Sequence, residues 1–292
     1  MIDSHIHLTH KSFDQTFPYI DFNGKEYLIV DGGSRASLIE EMKRRGIDRC
    51  IEPAIELDSN EALLRLSRES RGFLYPAVGN HPSRCTGSSL RDFKRVRMYA
   101  ENDCVVAIGE TGLDYHSSRK EQHRLRQKAW FIFQIDLADR LGLPLILHIR
   151  DADKDVIRIL RRYRNKLHGG VCHCFRGGPD LAAIYTEEFG LHLGIGGSLI
   201  REDETGESLR QAVESTPLNR LLLETDGPYV RTEKPAGYSG KQWGRARNTS
   251  LILPAVAEKI GRLKDIPTEE VIRITEENTV RLFGLDKKKT DR

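Results

Sequence analysis

The sequence lacks any apolar run of about 18 residues, the length that a membrane-spanning helix needs. It also lacks a basic segment followed by an apolar one near its start, so we expect no secretory signal. Its five cysteines form an odd set with no Cys-x-x-Cys pair, which favours free thiols in a reducing compartment over a disulfide framework. These absences together predict a cytoplasmic protein with no membrane association.

A strong charge imbalance is absent as well. A net charge of +3 over 292 residues is too small to indicate nucleic-acid binding by composition alone, so any basic patch has to be argued locally. The content of 30% charged and 38% hydrophobic residues is ordinary for a soluble chain. Since an α/β barrel of about 250 residues is a single domain, we expect one domain over residues 1–292.

Short apolar segments alternate with segments of helical periodicity along the chain. The predicted strands are Ile2–Ile6, Arg49–Pro53, Leu74–Gly79, Val105–Gly109, Leu145–Ile149, Val171–Cys174, Leu191–Ile195 and Leu221–Glu224. The predicted helices are Ser34–Arg45, Glu61–Arg68, Lys120–Arg140, Asp151–Arg164, Asn248–Arg262 and Pro267–Leu282, with Asp151 as an N-cap. This alternation predicts the α/β class and a (β/α)8 TIM barrel with C-terminal helices, with a doubly wound open sheet as the alternative.

Three segments depart from the alternating pattern. Residues 19–30 contain Asn23-Gly24 between apolar flanks and predict an inserted β-hairpin. Residues 231–247 are rich in glycine, lysine and arginine and predict a long loop. Residues 286–292 predict a solvated, flexible tail.

Four histidines and two carboxylates fall at or near the carboxyl ends of predicted strands. They are His5, His7, Glu110, His148, His173 and Asp226. The active site of a (β/α)8 barrel lies at this end, and strand alternation places His5 and His7 on one face. Each residue alone would also suit a structural role, but several strand ends share the pattern. The set therefore predicts a metal site.

With these residues in hand, the chain resembles the TatD family of metal-dependent deoxyribonucleases, which are amidohydrolase-like TIM barrel hydrolases. Ordered motifs over nearly the whole chain carry the resemblance. They include Asp3-Ser4-His5-Ile6-His7-Leu8, Gly79-x-His81-Pro82, Gly109-Glu110-x-Gly112-Leu113-Asp114-Tyr115, Gln127 through Gln134, His148-x-Arg150-Asp151-Ala152, His173-Cys174-Phe175 and Glu224-Thr225-Asp226-Gly227-Pro228-Tyr229.

The resemblance implies a site for two metal ions and indicates which residues bind each ion. His5, His7 and Asp226 would hold one ion, His148 and His173 the other, and Glu110 would bridge them. It also implies 3′→5′ exonuclease action on DNA phosphodiester bonds, with a hydroxide shared by the metals as nucleophile and with Asp226 and Glu110 as catalytic carboxylates. Four imidazoles favour Zn²⁺ or Mn²⁺, whereas Mg²⁺ prefers oxygen ligands and would at most support activity.

Candidate substrate-binding residues surround the predicted site. They are His81, Arg150, Arg176, Trp243, Arg245 and Arg247. The cationic side chains and His81 are suited to phosphate oxygens, and Trp243 among positive charges is suited to stacking on a base. The chain departs from the family pattern at Ser83, where a second histidine is usual, and at Arg176, where a serine is usual.

Two alternatives stay open. A metal-dependent hydrolase of another small ester or amide could use the same ligands, although Glu110 stands where many related barrels carry a carboxylated lysine, which favours the nuclease. A metal-binding component of a larger assembly could use the hairpin and the long loop as protein contacts. The partner expected from the resemblance is DNA, either single-stranded or with frayed ends.

Overall fold

A computed structural model describes residues 1–117, 120–235 and 237–286. The strands are β1 (Ile2–Asp3), β2 (Phe17–Phe22), β3 (Tyr27–Gly33), β4 (Arg49–Pro53), β5 (Leu74–Val78), β6 (Ala107–Asp114), β7 (Leu145–Arg150), β8 (Gly170–Cys172), β9 (His192–Ile195) and β10 (Leu221–Leu223). The α-helices are α1 (Arg35–Arg44), α2 (Ser59–Glu69), α3 (Leu90–Ala100), α4 (Glu121–Leu141), α5 (Asp153–Arg162), α6 (Pro179–Ala183), α7 (Glu204–Ser215), α8 (Gly240–Arg245), α9 (Leu253–Lys264) and α10 (Thr268–Phe283).

Eight of these strands form one parallel sheet in the order β1-β4-β5-β6-β7-β8-β9-β10. The backbone N–H of Ser4 donates to the carbonyl of Leu223 at 2.9 Å, which brings the last strand beside the first. Strands β5 and β6 are buried along their whole length, as expected for a parallel sheet that is covered on both faces. The sheet is a nearly closed barrel with flanking helices, which confirms the predicted (β/α)8 fold over the open alternative.

The segment after β1 forms an antiparallel hairpin outside the barrel sheet. Strands β2 and β3 pair with Phe22 opposite Tyr27, so the hairpin extends beyond the predicted residues 19–30 at both ends. The side chain of Asn23 accepts the backbone N–H groups of Lys25 and Glu26 at 3.0 Å. This local hydrogen bonding explains why Asn-Gly marks the turn.

Several local predictions differ from the structure. Asp151 does not cap α5, because the helix begins two residues later and Asp151 adopts a φ of +54° with its carboxylate 3.2 Å from the His116 ring. Helices α3 and α7 were not predicted, although Ser89 and Asp203 cap their first turns. The predicted loop 231–247 contains helix α8, and residues 287–292 of the predicted tail lie outside the described residues.

The chain divides into two compact units. The first, here called the terminal unit, comprises Met1–Ile51, Cys174–Ile184 and Leu193–Thr279. The second, the central unit, comprises Glu52–His173 and Tyr185–His192 with the described residues after Thr279. A single domain over the whole chain stays a prediction. No helix in the described residues combines the length and the apolar character that crossing a bilayer requires.

Candidate metal centre

The terminal unit places two buried histidines just beyond β1. The Nε2 atoms of His5 and His7 lie 3.1 Å apart. The Oδ1 atom of Asp226 lies 3.7 Å from the first of these nitrogens and 3.3 Å from the second. Ligand atoms held at about 2.0–2.1 Å by one tetrahedral zinc ion lie about 3.3 Å from each other. The three groups therefore fit one metal ion in both their chemistry and their spacing.

A buried carboxylate holds these ligands from behind. Asp3 Oδ1 accepts the backbone N–H groups of His5 and Thr225, both at 3.1 Å. Its Oδ2 accepts the hydroxyls of Thr225 at 2.6 Å and Ser250 at 2.7 Å. Burial raises the pKa of Asp3 to about 6, against the opposing effect of these hydrogen bonds. The network ties the strand that carries the histidines to the segment that carries Asp226.

Asp226 sits in a tight turn of the Asp-Gly-Pro-Tyr segment. Its backbone N–H donates to the carbonyl of His5 at 2.8 Å, and its carbonyl accepts the N–H of Tyr229 at 2.8 Å. The side-chain amide of Asn248 donates to the carbonyl of Thr225 at 2.7 Å. Asp226 has a φ of +54°, a conformation that Asp tolerates better than most residues. The turn therefore aims the carboxylate at the two imidazoles.

In the central unit, three imidazoles surround Glu110 at the middle of β6. Its Oε1 lies 2.8 Å from His148 Nδ1, 2.8 Å from His173 Nε2 and 3.5 Å from His81 Nε2. The nitrogens of His148 and His173 are 3.3 Å apart, again the separation of two ligands on one ion. The ligand atoms of His81, Glu110 and His148 all lie within 4.8 Å of one another. This unit therefore also has a donor set suited to a cation.

The imidazoles determine the ionisation of Glu110. Burial alone would raise the pKa of Glu110, but the charges of His173 and His81 and the hydrogen bonds from His148 and His173 hold it well below its usual range. Burial likewise disfavours a charged His148, yet its hydrogen bonds to Asp114 and Glu110 raise the pKa of His148 to about 9. Glu110 is thus an ionised carboxylate, the form that binds a cation.

Asp114, which is not among the predicted site residues, faces the other side of His148. Its Oδ2 lies 3.5 Å from His148 Nε2, and its Oδ1 accepts the N–H of Ser117 at 2.8 Å. Burial opposes ionisation, but hydrogen bonds from His148 and Ser117 hold the pKa of Asp114 below its usual range. Metal-binding histidines commonly donate their second N–H to a carboxylate. The period-two spacing of Glu110 and Asp114 on one strand was the available signal.

Two buried glutamines on α4 hold the backbone of this region. Gln127 accepts the N–H of Asp114 and donates to its carbonyl, both at 2.9 Å. Gln134 accepts the N–H of Asn80 at 2.9 Å and donates to the hydroxyl of Thr111 at 2.7 Å. Residues seven apart lie two turns along the same helix face. One helix face therefore positions both the end of β6 and the segment that leads to His81.

His81 presents a proton to Glu110. Its Nδ1 accepts the backbone N–H of Ser83 at 3.1 Å and lies 2.7 Å from the Ser83 hydroxyl. Because a backbone N–H can only donate, the proton of a neutral His81 is on Nε2. Burial is the main cause that lowers the pKa of His81, despite the opposing effect of Glu110. A neutral His81 can therefore donate a hydrogen bond from Nε2 towards Glu110.

The remaining predicted substrate residues have different surroundings. Arg150 at the end of β7 and Arg245 on α8 are exposed. Arg176 is exposed and donates to the sulfur of Cys174 at 3.3 Å. Arg247 is half-buried. Trp243 is only 8% exposed, which leaves little ring area for base stacking, and its role in substrate binding stays a prediction.

The burial of Trp243 follows from the local structure of the predicted loop. Ser239 and Gln242 form a capping box that starts α8, and this short helix buries the Trp243 side chain. The guanidinium of Arg231 donates to the carbonyls of Trp243 at 3.2 Å and Gly244 at 2.6 Å. Trp243 therefore anchors this segment.

Known proteins resemble the chain over nearly its whole length. The model of the family described as TatD related DNase matches residues 2–284. YabD of Bacillus subtilis (strain 168), described as an uncharacterized metal-dependent hydrolase, is 31% identical over 290 residues, which are 98% of this chain and 100% of YabD. A 3′-5′ ssDNA/RNA exonuclease TatD of Erwinia amylovora is 31% identical over 254 residues, which are 86% of this chain and 94% of that protein.

A solved structure agrees with these relatives. The crystal structure of YjjV, a TatD homologue from Escherichia coli K12, matches with a TM-score of 0.78 at 26% identity and covers 97% of this chain and 98% of its own. The chain is therefore an enzyme, a metal-dependent hydrolase, and it belongs to the family of TatD-related DNases.

Proposed function

We propose that the protein is a divalent-metal-dependent deoxyribonuclease that acts as a 3′→5′ exonuclease on single-stranded or frayed DNA. The observation that carries the proposal is the pair of ligand sets. In each unit, two imidazole nitrogens lie at the spacing of ligands on one ion, 3.1 Å in the terminal unit and 3.3 Å in the central unit. The similarity to a relative named as a 3′-5′ ssDNA/RNA exonuclease supports the choice of substrate.

The residues divide by the ion that each would hold. His5, His7 and Asp226 would hold one divalent cation, His148 and His173 a second, and Glu110 would bridge the two, as the family resemblance implies. Zn²⁺ or Mn²⁺ suits this imidazole-rich set better than Mg²⁺. Bound there, two cations would lower the pKa of water and neutralise charge on the phosphoryl oxygens.

The protein groups around the ions would move and hold protons. Asp226 is 14% exposed at its side chain, which leaves the carboxylate open to accept a proton from the attacking water. His81 would donate its Nε2 proton to Glu110 or to a phosphoryl oxygen. Arg150, Arg176 and Arg245 would neutralise phosphates of the bound strand.

The cellular location and the protein partners of the enzyme are separate parts of the proposal. None of the five cysteines forms a disulfide, which supports a cytoplasmic location. Contacts of the hairpin with protein partners stay a prediction.

Metal analysis of the purified protein, combined with digestion of end-labelled single- and double-stranded DNA, tests the proposal. We expect zinc or manganese in the protein, loss of nucleotides from the 3′ end, and faster digestion of single strands. Asp226→Asn should reduce hydrolysis by about 10²- to 10⁴-fold because a proton acceptor is lost. Asp31→Asn, an exposed aspartate of the same unit, is the matched control.

Two outcomes would count against the proposal. An Asp226→Asn variant that digests DNA as fast as the parent would remove the proposed role of that carboxylate. A parent protein that leaves DNA intact but hydrolyses an amide or a lactone would replace the nuclease with the alternative hydrolase.

A further inference from the structure

Arg247 is a half-buried cation that forms no ion pair with any residue that the structure describes. Its Nε is shielded from solvent and has no hydrogen-bond partner in the residues that the structure describes. Arg45, which is half-buried in the same unit, shows the usual arrangement, with its guanidinium 2.7 Å from the carboxylate of Asp21. Removing a charge from water without an opposite charge is costly. An anionic ligand at Arg247 would remove that cost.

The backbone at Arg247 is held firmly beside the turn that carries Asp226. The N–H of Arg247 donates to the carbonyl of Pro18 at 2.8 Å, and its carbonyl accepts the N–H of Ile20 at 2.9 Å. The next residue, Asn248, bonds to the carbonyl of Thr225. The hairpin thus acts as a support for Arg247. A cation fixed on rigid elements is well suited to position a ligand.

His10 of the same unit is a second potential hydrogen-bond donor. His10 Nδ1 accepts the backbone N–H of Ser12 at 3.1 Å, so the proton of a neutral His10 is on Nε2 and can be donated. The backbone N–H of His10 donates to the carbonyl of His7 at 3.1 Å, which fixes the residue next to the ligand histidines. The charges of His7, Lys11 and Arg247 all act on the imidazole of His10, so Arg247 lies within electrostatic range of it.

Tyr229 provides an exposed aromatic ring beside His10. Tyr229 is 43% exposed, in contrast to buried Trp243. Its ring centroid lies 5.4 Å from that of His10 and 5.9 Å from that of His7, both in edge-to-face geometry. The neighbouring histidines thus support the ring by its edges and brace its position. Tyr229 also ends the turn that begins at Asp226, so the ring lies one turn from a proposed metal ligand.

We propose that Arg247, His10 and Tyr229 form a nucleotide subsite, in which Arg247 and His10 donate hydrogen bonds to one phosphate of a single strand and Tyr229 stacks on an adjoining base. The proposal rests on the proposed nuclease function and names the part of the chain that would hold the strand. Arginine matches a phosphate with parallel hydrogen bonds. Stacking on an aromatic ring tolerates any base, which suits an enzyme that removes nucleotides one after another.

Fluorescence anisotropy with a labelled phosphorothioate oligothymidylate, in the presence of Mn²⁺, measures binding while the modified linkage resists hydrolysis. Tyr229→Leu should weaken binding by about 5- to 100-fold, the usual loss for one base stack, whereas Tyr229→Phe should change it by less than about twofold because the ring remains. Arg247→Gln should weaken binding and reduce the slope of log affinity against log salt by about 0.7. Arg65→Ala, which removes an exposed arginine from α2, is the control for net charge.

Cleavage of the ordinary phosphodiester oligomer by the parent protein tests the underlying function separately. If the parent cleaves it but Tyr229→Leu and Arg247→Gln bind as tightly as the parent, the subsite is overturned and the nuclease proposal stands. If the parent binds but does not cleave, the nuclease fails, and the variants still decide the subsite. If the parent does neither, both proposals fail.

Discussion

The two proposed ligand sets are held in different ways. In the terminal unit, neutral donors build the geometry: Asp3 gathers four hydrogen bonds from backbone and hydroxyl groups behind His5, and Asp226 stands 3.3 Å or more from either ring. In the central unit, the ligands contact one another directly, with His148 and His173 both 2.8 Å from Glu110.

This difference indicates what each set depends on. The terminal set depends on a buried support that does not itself contact a metal. The central set depends on the charge of Glu110, and hydrogen bonds to Asp114 and Glu110 raise the pKa of His148 to about 9. A cation bound at this histidine would compete with a proton. A substitution that removes charge should therefore weaken metal binding most in the central set. A substitution that disturbs hydrogen bonds should weaken it most in the terminal set.

Glu110→Gln is expected to have the largest effect. The substitution keeps the shape of the side chain but removes the negative charge that lies beside three imidazoles and that would bridge two cations. Removing the carboxylate charge should cost several kcal/mol of transition-state stabilisation. We therefore expect kcat/KM on DNA to fall by about a thousandfold or more. Metal content should fall at the same time. Glu61→Gln on α2 provides an exposed control, and a Glu110→Gln protein with full metal content and rate would contradict the comparison.

Asp3→Asn should have an intermediate effect that is confined to the terminal set. The amide introduces an N–H donor where Thr225 and Ser250 already donate, so at least one buried donor loses its partner. Changes to the partners that orient metal ligands usually cost about 10- to 100-fold in metal affinity or activity. Competition with a chelator would measure the weaker metal site. Ser250→Ala, which removes one of the four hydrogen bonds to Asp3, should lie between Asp3→Asn and the parent.

The barrel and the proposed metal ligands can be predicted from the sequence because their signals are local. Short apolar segments alternate with helices, and His5, Glu110 and His148 stand at or beside strands that those segments predict. The positioning residues were not assigned, because their partners are distant in the chain. Asp3, for example, bonds to Ser250, 247 residues away, and no local pattern indicates such a pair.

The α8 segment differs from its prediction for another reason. Its glycines and its charged residues predict a loop, in which Trp243 is a candidate for base stacking. The capping box of Ser239 and Gln242 was a local signal for a helix, and a short helix can bury one face. An exposed aromatic ring lies instead at Tyr229, within a motif in which only Asp226 is a predicted site residue.

The smallest effect on activity is expected for Gln134→Leu, which tests whether the central set also depends on a support behind it. Leucine leaves the N–H of Asn80 and the hydroxyl of Thr111 without their partner, and buried unsatisfied groups cost about 1–3 kcal/mol. Urea unfolding should show a lower midpoint with an unchanged slope. Activity should fall less than with Asp3→Asn, because Glu110 and His148 hold each other directly. If Gln134→Leu reduced activity on DNA as much as Asp3→Asn, both ligand sets would depend equally on buried supporting residues. The contrast between the two units would then be wrong.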